Sequence, residues 1–280
     1  MSPDDFDFVA RLVKDRSGLV LTRDKGYLVE NRLLPVIRGG KFKSATELLG
    51  SLREGNAELG DKVIDAMMTK DTAFFRDWRP FDHFRKVVLP NLVKRRAAAR
   101  SFRILCAGVS TGQEAFSLAM LIRDYGGEIA GWKIEIVGVD ISKTALTAAQ
   151  LGTYSQFDVQ RGLPIRTLLK HFTRRDESWA LNGEVQGMVG FMHWNLLEDI
   201  FPLGRFDVVL CRNLLISFDL QTKFSVLQKL SRGTHDDGIL YVGAKEPLTG
   251  ISSMFRPVDA DLGVHAVNRA ERTAVRSLAS

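Results

Sequence analysis

Two cysteines in 280 residues, Cys106 and Cys211, are too few for a disulfide framework and cannot build a Cys-based metal site by themselves. The histidines (His83, His171, His193, His235 and His265) are scattered without metal-ligand spacing, so no metal is expected. No apolar run approaches the roughly 18–20 residues that a membrane span needs. The opening stretch from Met1 to Phe8 is acidic and lacks the positive start and apolar core of a secretory signal. No internal repeat or low-complexity segment is visible. These absences lead to the expectation of a soluble, cytoplasmic monomer with no membrane insertion.

What is present is ordinary globular composition, with 45% hydrophobic and 26% charged residues. At about 150 residues per domain, the length allows one large domain, or a large one with a small one. Lys and Arg number 39 against 33 Asp and Glu, a net charge of +6. That balance suits an acidic partner, which could be nucleic acid, an anionic lipid surface or an acidic protein; solubility charge explains it equally well. No interleaving of aromatic and basic residues points to nucleic acid, and none is expected as a partner.

The first ~75 residues read as short helices. Ser2-Pro3-Asp4-Asp5 is a helix start and Gly18 a stop. A second helix runs from Thr22 towards Arg38, with Pro35 predicting a kink or an early end. Ser44-Ala45-Thr46-Glu47 matches a capping box, and Asp61 to Met68 is amphipathic. After a helix carrying Phe84, Val87, Val88 and Leu92 come short apolar runs at Phe102–Ala107, Ile134–Val139, Phe206–Cys211 and Ile239–Val242. Helical stretches such as Glu114–Arg123 and Lys143–Leu151 lie between them. Strands alternating with helices imply an α/β fold with a doubly wound parallel sheet. Residues 153–192 break the alternation and read as an inserted subdomain with a small hairpin.

The first strand ends in Ala107-Gly108-Val109-Ser110-Thr111-Gly112-Gln113-Glu114 and opens a helix. Small residues there let backbone approach a ligand at the carboxyl end of the strand. The turn is neither G-x-G-x-x-G nor a P-loop, which favours a nucleoside without a phosphate chain. The second strand ends in Asp140, an acid placed to accept from both ribose hydroxyls, or else to cap the next helix. S-adenosylmethionine (SAM) combines an adenosine, no phosphate and a cationic sulfonium.

Four blocks then stand in order: Thr72-Ala73-Phe74-Phe75-Arg76, the Ala107–Glu114 turn, Asn195-Leu196-Leu197, and Cys211-Arg212-Asn213-Leu214-Leu215-Ile216-Ser217-Phe218-Asp219. Val139-Asp140-Ile141-Ser142 and Gly152-x-Tyr154 fit with them. From the N-terminus to about Leu248 the chain resembles the CheR family of chemotaxis receptor methyltransferases, protein-glutamate O-methyltransferases. The resemblance implies a helical, receptor-facing domain at 1–75 and a Rossmann-like SAM-dependent methyltransferase domain at 76–280 carrying the inserted β-subdomain. It places Thr72, Arg76, Gly108, Glu114, Asp140, Asn195, Leu196, Cys211 and Arg212 around SAM or its product S-adenosylhomocysteine (SAH). Arg76 falls near the transferable methyl, Glu114 at the methionine part, Asp140 at the ribose, Asn195 and Leu196 at the adenine end, and Cys211 and Arg212 on the pocket floor. Outside the family frame, Arg76 reads as a surface ion-pair partner of Asp77 or Asp82.

Ser217 stands where the family usually has tyrosine, keeping a hydroxyl but losing reach; with Arg76 it is the expected catalytic pair. Lys70 replaces a frequent asparagine, Gln113 the first of two acids, and Val109 a small residue or cysteine. The acceptors implied are glutamates on the acidic methylation helices of chemotaxis receptors. Arg32, Arg38, Lys41 and Lys43 are the expected receptor-facing residues, with a solvated helix face as the plain alternative. The compact stretch Thr173–Phe191 argues against a receptor-tail tether. A SAM-binding module without catalysis, or a methyltransferase with another acceptor, remain as rival readings.

Overall fold

In the computed structural model, which describes residues 1–271, the N-terminal helix signals are used largely as written. The Ser2 side chain accepts from the Asp5 amide, Pro3 takes the first helical position, and Gly18 ends α1 (Pro3–Ser17) in the left-handed conformation at φ 77°. Proline is tolerated there because that amide has no helical partner. After a 3-10 turn at Arg23–Lys25, α2 (Gly26–Gly39) continues past Pro35 instead of stopping. Pro35 is exposed, and its missing N–H removes only the bond to the Asn31 carbonyl, while Val29 and Leu33 stay buried on the other side. Ser44 caps α3 (Ala45–Arg53), but Glu47 bonds the Lys43 amide at 2.6 Å, one residue before the reciprocal partner of a capping box. Asn56 caps α4 (Ala57–Met67). Val9, Val13, Leu33, Leu48, Val63 and Met67 close a core of their own among these four helices.

The segment Arg79–Arg96 is helical, with one π-helical turn at Phe84–Val88. Ten strands follow among the described residues: β1 (Ser101–Ala107), β2 (Lys133–Asp140), β3 (Thr153–Ser155), β4 (Phe172–Arg175), β5 (Ser178–Leu181), β6 (Val189–His193), β7 (Phe206–Cys211), β8 (Thr234–Val242), β9 (Phe255–Asp259) and β10 (Val264–Val267). Seven form one sheet in the order β6-β2-β1-β7-β8-β10-β9. The five from β6 to β8 are parallel, and the β10 and β9 edge is antiparallel. Alternate residues of β1 and β7 enter opposite cores: Ile104, Cys106, Val208 and Leu210 on one face, Leu105, Ala107, Val209 and Cys211 on the other. A buried sheet of this kind reads as continuous apolar strands.

The stretch read as an insertion is divided by the structure. Strands β3, β5 and β4 make a small antiparallel sheet, with β4 and β5 as its hairpin. Residues 189–193 instead belong to the main sheet, pairing in parallel with β2 from Ile136↔Val189 to Asp140↔His193. Their partner lies some fifty residues earlier, so local alternation could not tell a hairpin arm from an edge strand.

Candidate active site

The chain builds its sheet outward from β1 through β2 to β6, then returns to lay β7 on the other side of β1. A reversal of this kind opens a crevice at the carboxyl ends of the strands. The cavity found there is lined by Gly108, Ser110 and Glu114 after β1, Asp140 at the end of β2 with Ile141 after it, Trp194 to Leu196 after β6, and Arg212 to Leu214, Ser217 and Phe218 after β7. Its facing wall is Ser17, Leu19, Met68, Thr69, Asp71, Thr72 and Arg76. The helical part therefore closes what the sheet leaves open.

Gly108, Ser110 and Gly112 all have left-handed backbone, at φ 73°, 52° and 94°. The positive φ favours glycine at 108, and a Cβ there would lie 2.9 Å from Leu214 Cδ2 and push that side chain aside. The Ser110 amide donates to Asp140 Oδ2 and the Ser142 amide to Oδ1, both at 2.8 Å. Each oxygen keeps a further lone pair for a ligand. Burial pushes the Asp140 carboxyl above its ordinary value, and these amides pull the other way. The next helix is capped by Ser142, not by Asp140. From the small sheet, the Tyr154 hydroxyl donates to the Thr111 carbonyl at 2.8 Å and steadies the turn.

Arg212 is buried and bridges two acids, donating to Glu114 through Nη1 and to Asp77 Oδ2 at 2.7 Å through Nη2. Burial raises the Glu114 carboxyl, and the Arg212 guanidinium works against that rise. Asp77 sits in a loop where Phe75, Asp77 and Trp78 carry φ of 49°, 64° and 43°, a strained run that the Arg212 bond helps to hold. Arg76 pairs with neither Asp77 nor Asp82. Its Nη1 donates to the Asp71 carbonyl at 2.8 Å and its Nη2 lies 3.4 Å from the Asp71 carboxylate, which also takes Arg161 at 2.9 Å. Asp82 is occupied by Arg85 and Lys86.

Thr72, Arg76, Gly108, Glu114, Asp140, Asn195, Leu196, Arg212 and Ser217 thus line one cavity. Cys211 does not join them; it is fully buried with Ala107, Leu215 and Val242, where burial pushes its thiol up. Asn195 also ties the two parts together, its Nδ2 donating to the Arg16 carbonyl at 2.7 Å. Arg38, Lys41 and Lys43 are exposed, whereas Arg32 is half-buried and donates to the Met67 carbonyl and, at 3.0 Å, to Thr69 Oγ1. Arg32 is therefore a brace for the strap leading to Thr72, not part of a free basic face. Sequence reading gave no site role to Ser110, Trp194, Asp71 or Asp77, although Ser110 stood in the quoted turn and the two acids flank the Thr72–Arg76 block.

Among the described residues, five buried side-chain N or O atoms have no hydrogen-bond partner: Ser110 Oγ, Trp194 Nε1, Arg205 Nε, Arg212 Nε and Asn213 Oδ1. Four of these residues line this cavity. Unsatisfied polar groups gathered at one place mark a ligand site. Donors and acceptors around an apolar slot, with Asp140 beside the Gly108 turn, fit a nucleoside bearing an amino-acid tail.

Fold and cavity together fit an α/β domain that binds a nucleoside at the carboxyl ends of its parallel strands. A model described as the SAM binding domain of CheR methyltransferase matches residues 70–264, and one described as the CheR methyltransferase all-alpha domain matches 4–68. Chemotaxis protein methyltransferase 1 of Pseudomonas aeruginosa is 34% identical over 266 residues, spanning 93% of this chain and 96% of that protein. Chemotaxis protein methyltransferase 1 of Vibrio cholerae is 32% identical over 268 residues, spanning 94% and 96%. The chain belongs to the CheR methyltransferase family, and SAM is its cofactor. No helix among the described residues is long and apolar enough to cross a membrane.

Proposed function

We propose that this protein transfers the methyl group of SAM to glutamate side chains of chemotaxis receptors, forming methyl esters in sensory adaptation, and that it does so as a cytoplasmic monomer. The observation that carries the reading is Arg76, whose guanidinium reaches the wall of the cavity that Asp140, Glu114 and Ser217 also line. When bound, SAM would supply an electrophilic methyl on a sulfonium, and a carboxylate oxygen would take that methyl as the carbon–sulfur bond is given up, the products being a methyl ester and SAH.

The chain has little acid–base work to do. A glutamate side chain, with a pKa near ~4.3, is already ionised at neutral pH, so no general base is required. Placement is the main task, since the oxygen must stand in line with the methyl at roughly 3–3.5 Å. Arg76 keeps N–H groups beyond those directed at Asp71, and these hold one carboxylate oxygen by a charge-assisted bond. Arg161 gives the Asp71 carboxylate a second cationic partner when Arg76 turns to substrate. Asp140 takes the ribose hydroxyls, Thr72 and Glu114 stand at the amino-acid tail, and Asn195 and Leu196 at the base. Ser217, which lines the same cavity, contributes a short hydroxyl to the acceptor end.

Transfer of tritiated methyl to receptor-containing membranes tests this directly. Label released by mild base is expected, and Arg76→Ala should lower turnover about 100-fold while SAH affinity changes less than about 3-fold. Base-stable label, or label on nucleic acid, would refute the carboxyl acceptor.

A further inference from the structure

A carboxylate that does not itself line the cavity directs the loop between Arg212 and Ser217. Glu246 is 5% exposed and lies beyond β8, where its own amide donates to the Gly243 carbonyl at 2.9 Å and turns the chain back under the neighbouring loop. Its Oε2 accepts from the Asn213 amide and the Gly243 amide, each at 2.7 Å, and its Oε1 from the Ile216 amide at 2.9 Å. Three backbone donors from two segments converge on one buried side chain. A buried carboxylate satisfied in this way is stable only while all three donors stay where they are.

The loop needs such a hold. Asn213 is a non-glycine residue at φ 58°, and its Oδ1 is buried without a partner. A left-handed backbone of this kind costs roughly 1–3 kcal/mol and persists only where its surroundings over-determine it. The same short loop supplies Arg212, Asn213, Leu214 and Ser217 to the cavity. Gly243 shows how closely the anchor is fitted: a Cβ there would lie 2.6 Å from Glu246 Oε2 and 3.0 Å from Asn213 Nδ2.

We infer that Glu246 is a positioning residue for methyl transfer: by clamping the Asn213, Ile216 and Gly243 amides it fixes the loop that aims Arg212 and Ser217 into the cavity. The inference rests on the reading of this cavity as the transfer site, but the clamp itself is measurable without substrate. Glu246 does not line the cavity, so its removal acts through the loop.

Three proteins in full-length form test it: Glu246→Gln, which keeps shape but turns a donor towards one of the amides; Glu246→Asp, which keeps charge but shortens the reach; and Gly243→Ala, which keeps the carboxylate but displaces it. Amide hydrogen exchange at Asn213, Ile216 and Gly243, read by NMR without ligand, should accelerate at least 10-fold in all three while β1 and β2 amides stay protected. In methyl transfer, kcat should fall about 10- to 100-fold with the receptor KM moving less than about 3-fold, and Gly243→Ala should match Glu246→Gln. Unaltered exchange at those amides overturns the clamp. Faster exchange with wild-type kcat overturns the positioning role while leaving the clamp. A failure of the cavity reading looks different: wild-type protein would then transfer no methyl although exchange behaved as described. If Glu246→Gln proves unfolded by circular dichroism, Glu246→Asp and Gly243→Ala decide the matter by the same two readouts.

Discussion

Asp140 anchors the Ser110 and Ser142 amides, and in the proposed function the lone pair left on each oxygen takes a ribose hydroxyl. Its burial raises the pKa, so protonation sets in at a higher pH than for an ordinary carboxylate near ~4. A protonated acid loses acceptor capacity. SAH affinity is therefore expected to fall as pH is lowered, beginning at a higher pH than an ordinary carboxylate would set, and Asp140→Asn should flatten that dependence. Asp140→Ala should weaken SAH about 10- to 150-fold at neutral pH, the equivalent of a charged hydrogen-bond acceptor at ~1.5–3 kcal/mol. Calorimetry across pH checks both, and an unchanged affinity in the alanine variant would remove Asp140 from the ribose. The acid at a strand end was legible because its place in an α/β unit is fixed by topology. Its second duty was not: the Ser110 amide that occupies it lies thirty positions away.

Elements meet through side chains that sequence patterns do not flag. Asp65, on α4, accepts from Ser142 Oγ at 2.7 Å and from the Thr144 hydroxyl and amide at 2.6 and 3.2 Å, with Lys70 also donating to Thr144. It thus fastens the helical part to the first turn of Lys143–Leu151, just beyond Asp140. Burial works against its charge, but the Thr144 and Ser142 bonds outweigh that and hold its carboxyl below the ordinary value. A depressed carboxyl adds stability above the unfolded pKa and loses it as pH falls through the folded value. Asp65→Ala should cost about 1–3 kcal/mol in urea unfolding near pH 7, with the deficit shrinking in acid. A variant as stable as wild type would show the fastening to be idle. Strands β1, β2 and β7 and the helix Lys143–Leu151 were readable because apolar runs and caps are local. β6 and the course of α2 past Pro35 were not, because one depends on a distant partner and the other on a helix whose buried face lies away from the proline. Cys211 was misplaced for a related reason: a motif records order along the chain, while the alternation of β7 sends that thiol into the core and leaves Arg212 to reach the cavity.

At the scale of the whole molecule, a net charge of +6 is useful only where it is exposed and near the acceptor's path. Arg96 is spent on Asp207 and Asp237, and Arg212 on Glu114 and Asp77. Arg32 braces the strap between α4 and Thr72, so reversing it would disturb the cavity wall itself. Arg38, Lys41 and Lys43 stand differently: exposed, close together at the end of α2 and just after it, on the helical side of the cleft. On the function proposed above, an acidic receptor helix presenting a glutamate to Arg76 would be drawn to such a face by long-range attraction, which salt screens over about 10 Å at 0.1 M. Reversing Arg38, Lys41 and Lys43 together to glutamate should raise the receptor KM about 10-fold at low ionic strength. The difference from wild type should narrow as salt is added, and SAH affinity and kcat should stay within about 2-fold because none of the three lines the active cavity. Methyl-transfer kinetics at two salt concentrations make the measurement. An unchanged KM at low salt would take recognition away from this face and leave these charges to solubility alone. A change in SAH affinity would mean instead that the substitutions reach the strap, as reversal at Arg32 is expected to do.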